Sequence, residues 1–142
     1  MLSTETFPPI LVVDDDEEAH ELIARALARA RLPNPIRTFL SGTAVINYLS
    51  ADSGRQGDDG MDPPACLLLL DIRMPGMSGW EVLAWIRTQS HLCQLIIVMM
   101  SATGDDDQVA QAKSLGAHTY LLKYPSPETL AAIVKFSRMA AV

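Results

Sequence analysis

The sequence predicts an α/β protein in one domain, a doubly wound parallel sheet of five strands with helices on both faces. Three observations predict it. The apolar runs Ile10–Val13, Cys66–Leu70 and Leu95–Met100 are too short for helices, and Cys66–Leu70 is nearly continuous, as strands buried on both faces are. Between the runs lie segments whose apolar residues recur at three- and four-residue steps, the mark of a helix with one buried face. The two patterns alternate strictly, and right-handed crossovers then leave few topologies. A chain of 142 residues is long enough to bury a proper core.

Ile10–Val13 is the first strand. Ala19, Leu22, Ile23, Ala26, Leu27 and Ala30 form one face of the first helix, with Asp16 as its N-cap and Glu17 and Glu18 favourable in its first turn. Pro33 and Pro35 end that helix, and Ile36–Leu40 supplies an edge strand. Ser41 caps a short helix through Ala44, Val45, Tyr48 and Leu49. Residues 51–64 collect glycines, aspartates and the pair Pro63–Pro64, and read as a long surface loop. Cys66–Leu70 is the third strand, Val82, Leu83 and Ile86 mark the third helix, and Leu95–Met100 is the fourth strand. A fourth helix starts near Asp105–Asp107 and runs through Val109, Ala110 and Leu115. Thr119–Leu122 is the fifth strand, and Leu130, Ile133 and Val134 lie on one face of the last helix.

Composition narrows the function classes. A formal charge of −6 with scattered basic residues argues against a nucleic-acid surface. No apolar run approaches the length of a membrane span, and Met1–Pro9 has no signal-peptide pattern, so a cytoplasmic protein is expected, without membrane or nucleic-acid partners. Cys66 and Cys93 suggest neither a disulfide framework nor a metal site and read as buried thiols. His20, His91 and His118 lack ligand-like spacing and read as surface or strand residues.

All strands of such a sheet end at one edge, where ligands bind in a crevice. Asp14 and Asp15 follow the first strand, Asp71 the third, Ser101 the fourth and Lys123 the fifth. Three carboxylates, a hydroxyl and an ammonium therefore converge on one rim. Two like charges at ~4 Å repel by about 4 kcal/mol at an effective dielectric near 20. Protonation relieves this, and so does a hard cation such as Mg²⁺, which takes one or two carboxylates and keeps several waters. Such a rim suits phosphoryl transfer, in which an aspartate can itself be the nucleophile.

Four pieces carry a family resemblance: the acidic pair in "ILVVDDDEE", the aspartate in "LLLLDIRMPGMSGWEVL", the hydroxyl in "VMMSA" and the lysine in "GAHTYLLK". The chain resembles a response-regulator receiver domain of two-component signalling over roughly residues 8 to 138. The resemblance implies a flavodoxin-like (βα)5 fold with strand order 2-1-3-4-5, a single receiver domain over residues 1–142, and no output domain. It implies that Asp71 is the phosphoacceptor and that Mg²⁺ is held by Asp14, Asp15, Asp71 and the main-chain carbonyl of Arg73. Ser101 resembles the hydroxyl that bonds the phosphoryl group, Ala102 the small residue that leaves it room, and Lys123 the phosphate-pairing lysine. Tyr120 stands where the family keeps a switching aromatic. The pair Asp15 and Asp16 is the competing register for the metal, although Asp16 also reads as a helix cap.

Those roles imply a protein that catalyses only its own phosphorylation and dephosphorylation. Its donor would be a sensor histidine kinase or a phosphotransfer protein, and its output a protein contact with a downstream partner. "LPNPIRTFLSG" and the 51–64 segment are similar to small single-domain receivers paired with phytochrome-type kinases, which would imply a homodimer. One departure stands out. Receivers follow the lysine with a proline in a cis peptide, whereas here Tyr124 follows Lys123 and Pro125 comes after it. Either the loop turns trans and repositions Lys123, or a cis bond persists without proline. Two rival readings are a haloacid-dehalogenase-type phosphatase using Asp14 and Asp16, and an adaptor that is no longer phosphorylated. Glu17 and Glu18 stand against the first, where that family has a Gly-Thr-Leu-like turn.

Overall fold

The computed structural model describes residues 7–59 and 67–140. Strands β1 (Ile10–Val13), β2 (Ile36–Phe39), β3 (Leu67–Asp71), β4 (Ile96–Ser101) and β5 (Thr119–Leu122) alternate with helices α1 (Glu17–Arg29), α2 (Gly42–Asp59), α3 (Gly79–Arg87), α4 (Asp106–Ser114) and α5 (Pro127–Ala140). All pairings are parallel, in the order β2-β1-β3-β4-β5. This is the doubly wound sheet that the alternation predicted, in the flavodoxin-like strand order that the resemblance implied.

Strand pleat sorts the core into two layers. Leu11, Val13, Leu68, Leu70, Ile97 and Met99 face Val45 and Leu49 of α2, Val82, Leu83 and Ile86 of α3, and Ala112 of α4. Ile10, Val12, Leu67, Leu69, Val98 and Met100 face Ile23 and Leu27 of α1 and Leu130 and Val134 of α5. Every residue of β1, β3 and β4 is buried, whereas β2 and β5 are only partly so, as edge strands are. The register pairs Val13 with Leu70, Leu70 with Met99 and Asp71 with Met100, which brings the carboxyl ends of the central strands level.

Caps set the entry of the helices. The Asp16 carboxylate accepts the Glu18 N–H at 2.9 Å and starts α1. Ser78 and Glu81 form a reciprocal capping box at α3. The Ser41 hydroxyl accepts the Ala44 N–H at 3.1 Å at the start of α2. Gly76 takes φ +76°, a backbone state that favours glycine, in the loop between β3 and α3.

Several expectations are corrected. Residues 51–59 continue α2 to Asp59, where a loop over 51–64 was expected; residues 60–64 and Cys66 lie outside the described residues. Once a helix is started, each added residue gains a bond for one residue fixed, so weak helix formers can extend it. Asp71 and Ser101 are the last residues of their strands rather than the first after them. α1 ends before Pro33, through Ala30 and a left-handed Arg31 at φ 58°. α4 ends at Ser114 with Leu115 as its C-cap, and its buried residue is Ala112. Cys93 is exposed, because it follows the short 3₁₀ turn Ser90–Leu92 whose Leu92 takes the buried position. His20 and His118 are not idle surface residues. The Ile97 N–H donates to His118 Nδ1 at 3.1 Å, lengthening the β4–β5 ladder, while His20 braces the site described next.

Candidate functional site

At the carboxyl edge of the sheet, Asp14, Asp15, Asp16, Asp71, Arg73, Ser101, Ala102, Thr103 and Lys123 line one cleft of about 270 Å³. Its floor is made by strand ends. Asp14 is 0% and Asp71 4% exposed, whereas Asp15 is exposed. Carboxylate oxygens of Asp14, Asp15 and Asp71 lie within 4.8 Å of one another, an oxygen-only cluster that could hold a hard cation. Asp16 spends its carboxylate on the α1 cap, so the acidic pair in this cluster is Asp14 and Asp15.

Lys123 reaches into the cluster from the end of β5. Its Nζ stands 2.7 Å from Asp14 Oδ2 and 3.4 Å from Asp71 Oδ1. The peptide from Lys123 to Tyr124 is cis, with tyrosine where the resemblance expects proline. Asp14 Oδ1 accepts the Asp16 N–H at 3.0 Å, and its buried Oδ2 has no partner among the described residues beyond the Lys123 ammonium. Behind it, His20 Nε2 lies 2.8 Å from the Asp14 carbonyl and 3.1 Å from that of Phe39. Both are acceptors, so Nε2 carries the proton and ties the ends of β1 and β2 to α1.

The charges are out of balance, with three carboxylates facing one ammonium. Burial and then the neighbouring Asp14 push the Asp71 carboxyl up to about 6 from an ordinary 3.8, against the pull of Lys123. Burial works against the charge on Lys123, but the hydrogen bond and charge of Asp14 and Asp71 together outweigh it and hold its pKa above the ordinary value. A cation in this cluster would relieve the strain that Asp71 shows as a raised pKa.

The sequence matches the family described as response regulator receiver domain over residues 10–135. The chain belongs to that family. Among its curated relatives, this receiver is 32% identical over 124 residues to the probable methanogenesis regulatory protein FilR2 of Methanothrix harundinacea, covering 87% of this chain and 77% of FilR2. It is also 32% identical over 126 residues to the transcriptional regulatory protein GltR of Pseudomonas aeruginosa, covering 89% of this chain but only 47% of GltR. The receiver thus spans about half the length of GltR. Among solved structures, the phosphorylated cyanobacterial phytochrome response regulator RcpA superposes with a TM-score of 0.70 at 29% identity, over 92% of this chain and 91% of RcpA.

All the site residues picked from the receiver's sequence line this cleft except Tyr120, which stands behind it. The Tyr120 ring is partly buried against the core, and its hydroxyl reaches the Thr103 carbonyl at 2.7 Å and Gln108 Oε1 at 2.8 Å. The Ser101 hydroxyl donates to the same Gln108 oxygen at 3.3 Å and accepts the Thr103 N–H at 3.1 Å. Gln108, Thr103, His20 and Gly79 were not picked out. Gln108 had one readable signal, a polar residue in the first turn of a helix that follows a site strand. Gly79 had none beyond being a glycine at a helix start. A Cβ there would press on the Asp71 carbonyl and come within 2.9 Å of Ile72 Cα.

Proposed function

We propose that this receiver takes a phosphoryl group onto Asp71 from a phosphohistidine of a sensor histidine kinase or phosphotransfer protein, with Mg²⁺ as its cofactor. The observation that carries the proposal is the Lys123 ammonium set between Asp14 and Asp71 at the floor of a cleft rimmed by a third carboxylate. The donor set fits the metal: oxygens only, excess negative charge, and a buried Asp14 oxygen with no other partner among the described residues than an ammonium. Asp15, Asp71 and the main-chain carbonyl of Arg73 would bind the ion directly. Asp14, whose oxygens already bond the Asp16 N–H and Lys123, would act through water. When bound, Mg²⁺ supplies positive charge against the phosphoryl oxygens.

An Asp71 oxygen forms the new P–O bond as the P–N bond of the phosphohistidine breaks, and the imidazole nitrogen leaves with the electron pair. Lys123 then pairs with one phosphoryl oxygen and the Ser101 hydroxyl donates to another. Ala102, exposed at the rim, has only a methyl to set against the group. With Ser101 drawn to the phosphoryl group, Tyr120 moves to its second state. The signal leaves by protein contact, because phosphorylation need only favour one of two conformations to shift their balance. The likeness to RcpA, a phytochrome response regulator, supports a phytochrome-type kinase as donor.

Incubation with acetyl phosphate and Mg²⁺, followed by intact mass, tests this reading. One phosphoryl adduct is expected on the wild type and none on Asp71→Asn. An adduct that survives the substitution would place the acceptor elsewhere, and sustained turnover of a small phosphomonoester would favour a phosphatase instead.

A further inference from the structure

Gln108 stands between the two groups that a phosphoryl signal must connect. Its Oε1 accepts from the Ser101 hydroxyl at 3.3 Å and from the Tyr120 hydroxyl at 2.8 Å. Among the described residues no bond joins Ser101 and Tyr120 directly; they share this one acceptor and the Thr103 backbone, whose N–H donates to Ser101 and whose carbonyl shares the single Tyr120 proton with Gln108. A serine hydroxyl has a single proton to give. While it points to Gln108, it is withheld from any oxygen in the cleft. Gln108 also sits in the first turn of α4, so whatever holds its side chain holds the start of that helix.

We infer that Gln108 is the positioning residue that relays the state of the Ser101 hydroxyl to Tyr120 and α4. The inference rests on Asp71 being the phosphoacceptor. With no phosphoryl group on Asp71, the amide oxygen accepts the Ser101 proton and shares that of Tyr120 with the Thr103 carbonyl. When a phosphoryl oxygen on Asp71 takes the Ser101 proton, Gln108 loses one of its two donors. The amide is then free to turn, taking the Tyr120 hydroxyl with it or releasing it. There is room for such a turn, because Gln108 lines a second cleft of about 600 Å³ with Arg73, Met74 and Trp80. Removing the amide should therefore leave phosphorylation intact and cut its message. An acceptor of the same shape should restore the message, so Gln108→Glu serves as the conservative variant.

The protein labelled with fluorotyrosine gives the test, with the Tyr120 fluorine resonance assigned by Tyr120→Phe. Acetyl phosphate and Mg²⁺ should shift that resonance in the wild type while intact mass reports the adduct. Gln108→Ala should form the adduct and lose the Tyr120 shift, and Gln108→Glu should form it and regain the shift. A shift of wild-type size in Gln108→Ala overturns the relay, as does failure of Gln108→Glu to restore it. Loss of the adduct in Gln108→Ala also overturns it, because the residue would then belong to the phosphoryl site itself. Absence of any adduct on the wild type overturns the phosphoacceptor reading and the relay together, which separates that failure from the others. The half-buried position of Gln108 on a helix surface suits both substitutions, and a melting curve of each checks the fold.

Discussion

At Asp71, burial and charge pull against one another. The folded protein holds its proton up to about pH 6, whereas the unfolded chain releases it near 3.8. In that interval the folded state binds more protons than the unfolded one, so stability falls as pH rises. The penalty is absent below about 3.8, grows through the interval and is complete above about 6. At about 1.4 kcal/mol per tenfold change in acidity, it amounts to at most roughly 3 kcal/mol. Without divalent metal, Asp71→Asn should therefore be the more stable protein at pH 8, by about 1–3 kcal/mol in urea unfolding. The advantage should vanish near pH 3.5. An Asn variant less stable than the wild type at pH 8 would mean that the Lys123 contact outweighs burial and Asp14 repulsion. The same residue shows why most of the site was readable: strand-end residues of a parallel sheet must meet, whatever their separation in sequence. Gln108 was readable only as a polar residue in a helix's first turn, because its bonds to Ser101 and Tyr120 cross a loop and no spacing rule predicts them.

The loop and helix after β3 show how an element holds Asp71 in place. The Gly79 N–H donates to the Ile72 carbonyl at 2.9 Å, which seats the start of α3 directly on the end of β3. A methyl at Gly79 would meet the Asp71 carbonyl, whereas one at Gly76 would meet nothing within 4 Å and suffer only from φ +76°. The two alanine variants should separate these causes. Both should lose stability, Gly79→Ala by about 1–3 kcal/mol through overcrowding and Gly76→Ala by about 1–2 kcal/mol through its backbone. Only Gly79→Ala should slow labelling by acetyl phosphate, because only there does the added atom push on the strand that carries Asp71. Equal labelling rates would show that the contact relaxes without moving Asp71. Elements differed in how plainly they could be read. Strand β1, and strands β3 and β4 up to the Asp71 and Ser101 that end them, are unbroken apolar runs because both faces are buried, and no other structure suits runs so short. The far half of α2 was missed for the opposite reason: Gly54, Gly57 and their aspartates are poor helix formers, and local composition gives no sign of a helix propagating from the Val45–Leu49 turn.

Across the whole molecule, two apolar layers close on a central sheet while one edge collects carboxylates that repel. Folding brings those charges together, so anything that neutralises them in the folded state alone must stabilise the entire domain. A divalent cation bound to the folded form at a hundredfold excess over Kd adds about 2.7 kcal/mol. For a chain of this size that raises Tm by roughly 10 °C. The effect should depend on pH with a definite sign. The cation needs Asp71 ionised, and its carboxyl takes up a proton below about pH 6. Mg²⁺ should therefore raise Tm fully at pH 7.5 and progressively less as pH falls through 6. Chelation should return the protein to its metal-free Tm. Asp71→Asn, which has the stability advantage without metal, should gain little from Mg²⁺, so the order of the two proteins narrows or reverses when the ion is added. Differential scanning calorimetry at pH 7.5 and 5, with and without Mg²⁺, reads all of these. A Tm rise of equal size at both pH values, or one undiminished in Asp71→Asn, would locate the cation away from this rim.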